Sequence, residues 1–351
     1  MAALGQRKVV DRGHGGQAAS ENLSVCELAM LLDAGLDRVV QAQKTIAAGL
    51  GPKRREGVAQ AALPVDQGPI TVERGPPTRH RRATIFAVID SPPGHPDIVR
   101  IVAPNPGPMT LDGTNTYVVG SNPAYVIDPG PIEESHLDAV RAVAEDRGGV
   151  AGVLLTHSHA DHSAGVPMLD APLLFGEVGG GDESSGNPGA EWPSVGSAAA
   201  IEPERVGPFE TLPTPGHATD HVCFLLGEVG FCGDLVLGRG SSFVPPDGGS
   251  LAAYLDSLER LRAADLELLC PGHGPYIDDP ATKVNEYLEH RLMRERRLLA
   301  ELERGERSRA RLLGLVWDDV PEVLRPAAAV VMQAHLEKLE AEGRLPQGIS
   351  D

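Results

Sequence analysis

Val153-Leu154-Leu155-Thr156-His157-Ser158-His159-Ala160-Asp161-His162 is an apolar run that ends in a turn crowded with coordinating side chains. His157, His159, Asp161 and His162 place four donors within six residues. A strand ending in a tight turn can aim such residues at two adjacent points. Three neutral imidazoles suit one zinc-like ion, and a carboxylate with two imidazoles suits a neighbour. Further stretches of the same kind are Gly216-His217, Gly233-Asp234 and Gly272-His273-Gly274, each at a predicted strand end, with Asp128-Pro129-Gly130 before the main motif. A carboxylate such as Asp234 can bridge two ions. One string of this type arises by chance in a proteome, but not with these partners in this order.

The set resembles the metallo-beta-lactamase superfamily in its glyoxalase II and RNase Z style of ligands. Three segments narrow the resemblance. They are Asn105-Pro106-Gly107-Pro108-Met109-Thr110-Leu111-Asp112-Gly113-Thr114-Asn115-Thr116-Tyr117, then Thr214-Pro215-Gly216-His217 followed by Asp220-His221, and Cys270-Pro271-Gly272-His273-Gly274-Pro275. These are similar to the beta-lactamase-like protein 2 group, whose animal members are described as single-strand endoribonucleases. The likeness runs from about Asp97 to about Pro346.

The resemblance implies that His157, His159 and His217 hold one ion, and that Asp161, His162 and His273 hold another, with Asp234 bridging. Two Zn2+ per chain are expected, although other divalent ions fit the same donors. Two ions about 3.5–4 Å apart share a hydroxide that serves as nucleophile, so no general base from the protein is required. Asp128 corresponds to a position that supports the cluster by bonding an imidazole. His221 is expected beside the ligands or in simple packing, not as a ligand. Asn115 and Thr116 are candidates for substrate contact, with turn capping as the competing role.

The chain outside the motifs reads as three parts: an extension over residues 1–96, a catalytic domain over 97–282 and an α-rich appendage over 283–347. The extension is rich in Gly, Gln, Pro and Arg. It contains one amphipathic pattern, Val25, Leu28, Ala29, Leu32, Leu36, Val39 and Val40 behind Ser24, and a candidate strand over 83–89. From Ile98 onward, strands are predicted over 99–103, 116–119, 124–127, 150–155 and 266–269, with helices over 133–145 and 251–263 and a hairpin over 221–232. Two β-rich halves with outer helices make an α/β protein of αββα sandwich form, with ligands on loops at one edge. The Gly- and Pro-rich segment 176–196 reads as an insertion or a lid. The appendage resembles the family's small winged-helix domain. One face of its last helix carries Ala328, Val331, Met332, His335, Leu336 and Leu339, closed by Gly343. His335 is expected to pack rather than to bind.

Composition limits the substrate. Acidic residues number 49 against 31 basic ones, a net charge of −18 that discourages nonspecific adhesion to nucleic acid or anionic membrane. No signal-type apolar core follows the first residues, and no apolar run is long enough to span a bilayer. With four scattered cysteines and no C-x-x-C, a reducing cytoplasm fits. Eight arginines between Arg291 and Arg311 outnumber four interleaved glutamates. Arg294, Arg297 and Arg304 are the candidates to track phosphates there, against the alternative of a helix laced with ion pairs.

Three readings follow. The first is a metal-dependent endonuclease for single-stranded RNA, as the resemblance implies. The second is a hydrolase of small-molecule esters or thioesters, such as acyl-thioesters or hydroxyacylglutathione-like compounds, since the same bimetallic chemistry attacks both carbonyls. Gly274-Pro275-Tyr276 departs from the glyoxalase II pattern and counts against glutathione thioesters. The third is a nucleic-acid-binding regulator with a vestigial site, which the intact ligand set disfavours. A homo-oligomer is compatible with all three.

Overall fold

The computed structural model of the protein describes residues 88–179, 194–195, 205–246 and 248–350. The helix expected over 25–40 lies outside these, as does most of the segment 176–196 and all but the end of the strand expected over 83–89.

Seven strands form the first sheet in sequential order: β1 (Ile89–Asp90), β2 (Ile98–Val102), β3 (Asn115–Val119), β4 (Ala124–Ile127), β5 (Val150–Leu154), β6 (Leu173–Glu177) and β7 (Ser194–Val195). Helix α1 (Glu134–Asp146) connects β4 to β5, which pair in parallel, and the short α2 (Ala160–Ser163) follows β5. The second sheet has the order β12-β11-β10-β9-β8, built from β8 (Arg205–Val206), β9 (Phe209–Pro213), β10 (Val222–Leu226), β11 (Val229–Gly233) and β12 (Leu268–Pro271). Helix α3 (Leu251–Ala263) carries the chain from β11 to the parallel β12.

Strand alternation sorts side chains between layers. Tyr117, Val119, Ile127 and Leu154 point inward and meet Phe209, Val222, Phe224, Phe231 and Cys270 of the facing sheet. Their neighbours Val118, Val126 and Val153 point outward, against Leu137, Val140 and Ala144 on one stripe of α1. On the far side Cys223, Cys232 and Leu269 pack under Leu251, Tyr254, Leu255, Leu258 and Leu261 of α3. The result is the expected αββα sandwich.

The C-terminal region is helical: α4 (Pro280–Glu303), α5 (Arg309–Val316) and α6 (Arg325–Ala341). Asp279 caps α4 by accepting from Thr282 N at 3.0 Å, and Pro280 occupies its first turn. One helix serves two cores. Val284, Tyr287 and Leu288 of α4 pack with α3, while Leu298 and Leu302 join Leu312, Val316, Trp317, Ala328, Met332, Leu336 and Leu339. α4 therefore runs without a break across residues 282 and 283. Gly343, at φ +67, ends α6, with the Arg344 N–H returning to Leu339 O. His335 packs fully buried beside Trp317.

β1 begins before residue 97 and belongs to the sheet. Its Asp90 takes a paired bond from Arg100, at 2.9 and 2.5 Å, and accepts from the Tyr276 hydroxyl at 3.0 Å. The Arg100 side chain is only 11 % exposed. Deleting residues 1–90 should therefore destabilise the protein by about 1–3 kcal/mol relative to deletion of 1–87, because a largely buried guanidinium loses its carboxylate. Urea midpoints of the two truncations measure this; equal midpoints would show that β1 contributes nothing.

Candidate metal centre

The loops bearing the candidate ligands lie at one edge of the sandwich. Asp128 follows β4, the main motif follows β5, Asp234 follows β11 and His273 follows β12, while His217 lies between β9 and β10. Backbone bonds join the sheets at this edge: Val222 N–H to Thr156 O at 2.8 Å, and Asn115 N–H to Gly272 O at 2.7 Å. Residues distant in sequence are thereby fixed side by side.

Three overlapping groups of side chains can each hold a metal ion: His157, His159 and His217; His157, His162 and Asp234; and Asp161, His162 and His273. His159 Nδ1 lies 2.9 Å from His157 Nε2 and 3.1 Å from His217 Nε2. His162 Nε2 and His273 Nε2 are 3.3 Å apart, and Asp161 Oδ2 lies 3.4 and 3.3 Å from them. Tetrahedral ligands with bonds of about 2.0–2.1 Å are about 3.3 Å from one another, so these spacings suit a shared ion. Asp234 reaches both sides. Its Oδ2 is 3.3 Å from His273 Nε2 and 3.7 Å from His217 Nε2, and Oδ1 is 3.5 Å from His162 Nε2. Asp234 Oδ1 is buried with no hydrogen-bond partner. A buried carboxylate oxygen without a donor is costly unless a cation faces it.

The outer bonds settle which ring nitrogen faces inward. The Thr156 hydroxyl has one proton, which it gives to Asp128 Oδ2 at 2.7 Å. It therefore accepts from His157 Nδ1 at 3.0 Å, leaving the His157 Nε2 lone pair free. His162 Nδ1 donates to Asp128 Oδ2 at 3.0 Å, His217 Nδ1 to Phe243 O at 2.7 Å and His273 Nδ1 to Gly113 O at 3.3 Å. All four turn Nε2 toward the cluster. His159, the exposed member, turns Nδ1.

Charge acts in the same direction. Burial pushes His157 well below its ordinary pKa, and the neighbouring imidazoles push it further, so it is neutral as a ligand must be. At His162 burial is overcome by Asp161, Asp234 and Asp128, which hold its pKa well above the ordinary value. His273 rises to about 9 against its burial because Asp234 and Asp161 adjoin it. This half of the cluster demands positive charge, which protons or a metal ion can supply.

Asp128 and His221 lie beside the cluster. Asp128, at φ +50, binds Thr156 N and Oγ1 as well as His162. His221 accepts from the Asp234 N–H at 3.2 Å through Nε2 and bonds the Thr214 hydroxyl at 2.9 Å through Nδ1. It holds the backbone of Asp234 without facing the ligand points. Gly272 is forced by the site: a Cβ there would lie 2.4 Å from Asp234 Oδ1 and 2.6 Å from His162 Cε1.

The expected substrate contacts are placed differently. Asn115 is buried and its amide donates to Pro271 O and Gly274 O, both at 2.9 Å. The Thr116 hydroxyl donates to Asp128 O at 2.7 Å and bonds His136 Nε2 at 2.8 Å. Both tie loops together through these bonds. Thr114, one position earlier, reaches a candidate ligand with its side chain, bonding Asp161 Oδ2 at 3.1 Å. Thr114 lies just before β3, and neither spacing nor residue type marked it out in the sequence. Arg294 is 1 % exposed and bonds Val316 O and both Asp319 oxygens at 2.7–2.8 Å. Arg297 bonds Leu315 O and Asp318, and Arg304 pairs with Glu301. The arginine run is thus committed largely to the appendage itself, the alternative that the interleaved acids had suggested.

Comparison with known proteins agrees with this geometry. Residues 109–273 match the Metallo-beta-lactamase superfamily, and residues 309–348 match the Beta-lactamase associated winged helix domain. The chain is 39 % identical over 223 residues to Lactamase-like protein adaB of Aspergillus niger, which covers 61 % of this chain and 66 % of that protein. It is 31 % identical over 274 residues to the Beta-lactamase-like protein 2 homolog of Drosophila melanogaster, covering 71 % of this chain and 89 % of that one. With the Atrochrysone carboxyl ACP thioesterase of Aspergillus fumigatus it shares 33 % identity over 264 residues, 73 % of this chain and 76 % of the other. A solved beta-lactamase domain protein from Burkholderia ambifaria shares the fold, with a TM-score of 0.58, 18 % identity and coverage of 75 % and 91 %. Sequence likeness, sandwich and appendage together make this chain a member of the metallo-beta-lactamase superfamily that carries the associated winged helix.

Proposed function

We propose that this protein is a binuclear, zinc-type hydrolase of small-molecule acyl esters or thioesters. The observation that carries the metal assignment is Asp234, whose orphaned buried oxygen and second oxygen lie between the two ligand groups. His157, His159 and His217 would hold one ion, Asp161, His162 and His273 the other, and Asp234 would touch both. Such ions supply a nucleophilic hydroxide at neutral pH and polarise the reacting oxygen. The protein's own part is to aim the imidazoles, through Thr156, Asp128, Phe243 O and Gly113 O.

The substrate assignment rests on what surrounds the site. A nuclease needs free cations to follow a phosphate backbone. Arg294 is sealed inside the appendage, Arg297 and Arg304 are paired, and the chain carries −18 overall. An uncharged acyl carbonyl makes no such demand. The relative named as an ACP thioesterase supports the same choice, while the Beta-lactamase-like protein 2 relative keeps RNA cleavage as the competing reading. Among the described residues no helix is long and apolar enough to cross a membrane, and a cytoplasmic setting belongs to this proposal.

One preparation and its His159→Ala control, assayed in parallel, separate the readings. Acyl-thioester turnover that vanishes in the control and barely changes between 50 and 200 mM salt is the expected result. RNA cleavage that needs metal and falls steeply over the same salt range, with no thioester turnover, would overturn the substrate assignment.

A further inference from the structure

Helix α4 reaches the metal centre through a loop. Tyr287 and Arg291, one turn apart on the same face, both contact the run from Leu237 to Ser242. The Tyr287 hydroxyl accepts from Leu237 N–H at 3.1 Å and donates to Gly240 O at 2.8 Å. Arg291 Nη2 donates to Ser241 Oγ at 3.0 Å and to Ser242 O at 2.5 Å. This loop has two ends that matter. One is Asp234. The other is Phe243, whose carbonyl orients His217. Ser242 links them, since its hydroxyl donates to Asp234 O at 2.5 Å and lies 3.3 Å from His217 Nδ1.

Arg291 is buried, and among the described residues it forms no ion pair with a carboxylate. Its visible partners are the serine hydroxyl, the carbonyl and the face of Tyr254, 5.7 Å from the guanidinium carbon. Burying a cation in this way is unfavourable, and an apolar residue would pack the same space more readily. The expense is understandable if the loop has to be held in one place. Outer partners of ligating histidines commonly change metal affinity by about 10–100-fold.

We infer that Tyr287 and Arg291 are positioning residues for the metal centre: the helix leading into the appendage clamps the loop that carries the bridging carboxylate and aims His217. This rests on the two-ion reading above. Arg291 acts on the ion held by His157, His159 and His217, because Asp161, His162 and His273 are held by other elements, at Thr114, Asp128 and Gly113.

The test is Zn2+ titration of the metal-free full chain against a chromophoric chelator, for wild type, Arg291→Met, Arg291→Lys, Tyr287→Phe and the exposed control Arg296→Met. Arg291→Met should weaken the Zn2+ equivalent at His157, His159 and His217 by about 10–100-fold and the other, reached only through Asp234, much less. Far-ultraviolet circular dichroism should be preserved. Arg291→Lys, which restores a charge and a donor, should recover part of the loss, and Tyr287→Phe should weaken the same equivalent less. Unchanged affinities in both Arg291→Met and Tyr287→Phe would overturn the inference. So would loss of both equivalents together with the helical signal, which marks a purely structural role. If wild type itself binds a single equivalent, the two-ion reading fails by itself, and the clamp is still judged by whether that one affinity moves.

Discussion

Asp234→Ala should remove metal from both positions and abolish hydrolysis. The carboxylate lies within 3.7 Å of a nitrogen in each candidate ligand set, through His217 Nε2 on one side and His273 Nε2 on the other. Its loss also removes a negative charge that helps to hold His162 and His273 above their ordinary pKa. The cluster then attracts cations less strongly, whether protons or metal. Losing an outer partner already costs about 10–100-fold in affinity, and losing a shared ligand should exceed that at both positions. Elemental analysis after dialysis against a weak chelator should fall from close to two equivalents to well below one. The backbone should remain folded, because the cores between and outside the sheets do not include this side chain. A variant that keeps one ion as tightly as wild type would show that Asp234 serves one position only.

Arg294→Ala should unfold the appendage at much lower denaturant while leaving chemistry intact wherever the protein is still folded. The guanidinium bonds both oxygens of Asp319 and the Val316 carbonyl, and its carbon lies 5.7 Å from the centre of the Trp317 ring. Removing one partner of a fully buried pair costs about 3–5 kcal/mol. Here Asp319 keeps 43 % exposure and can regain water, so about 2–4 kcal/mol is the fitting range. Urea unfolding followed at the tryptophans reads this directly. A phosphate-tracking arginine behaves in the opposite way: its loss spares stability and lowers RNA turnover. An unchanged urea midpoint would reject the structural assignment of this residue.

Much of the site was written in the order of residues. His157, His159, Asp161 and His162 follow one strand, and donors at that density limit both chemistry and fold. The helices over 133–145 and 251–263 appeared in place because their apolar residues recur every three or four positions, as Leu137, Val140 and Ala144 show. Strands β6, β8 and β9 were not anticipated. Leu173–Glu177 and Phe209–Pro213 are short, and each contains a Gly or Pro that weakens a local strand pattern.

Sequence alone determined the candidate ligand types, their order and the sandwich that presents them, because donor spacing and strand periodicity are local properties. Which side chains serve the site and which serve the fold was decided by tertiary structure. Arg291 and Arg294 are one turn apart on α4 and identical in type. One donates to the loop behind His217, while the other is locked onto Asp319. Asn115 and Thr116 point into the protein, whereas Thr114 meets Asp161. A residue's role here depends on what lies across a gap between elements far apart in the chain. That is set by packing of the whole molecule, and neither spacing nor composition contains it.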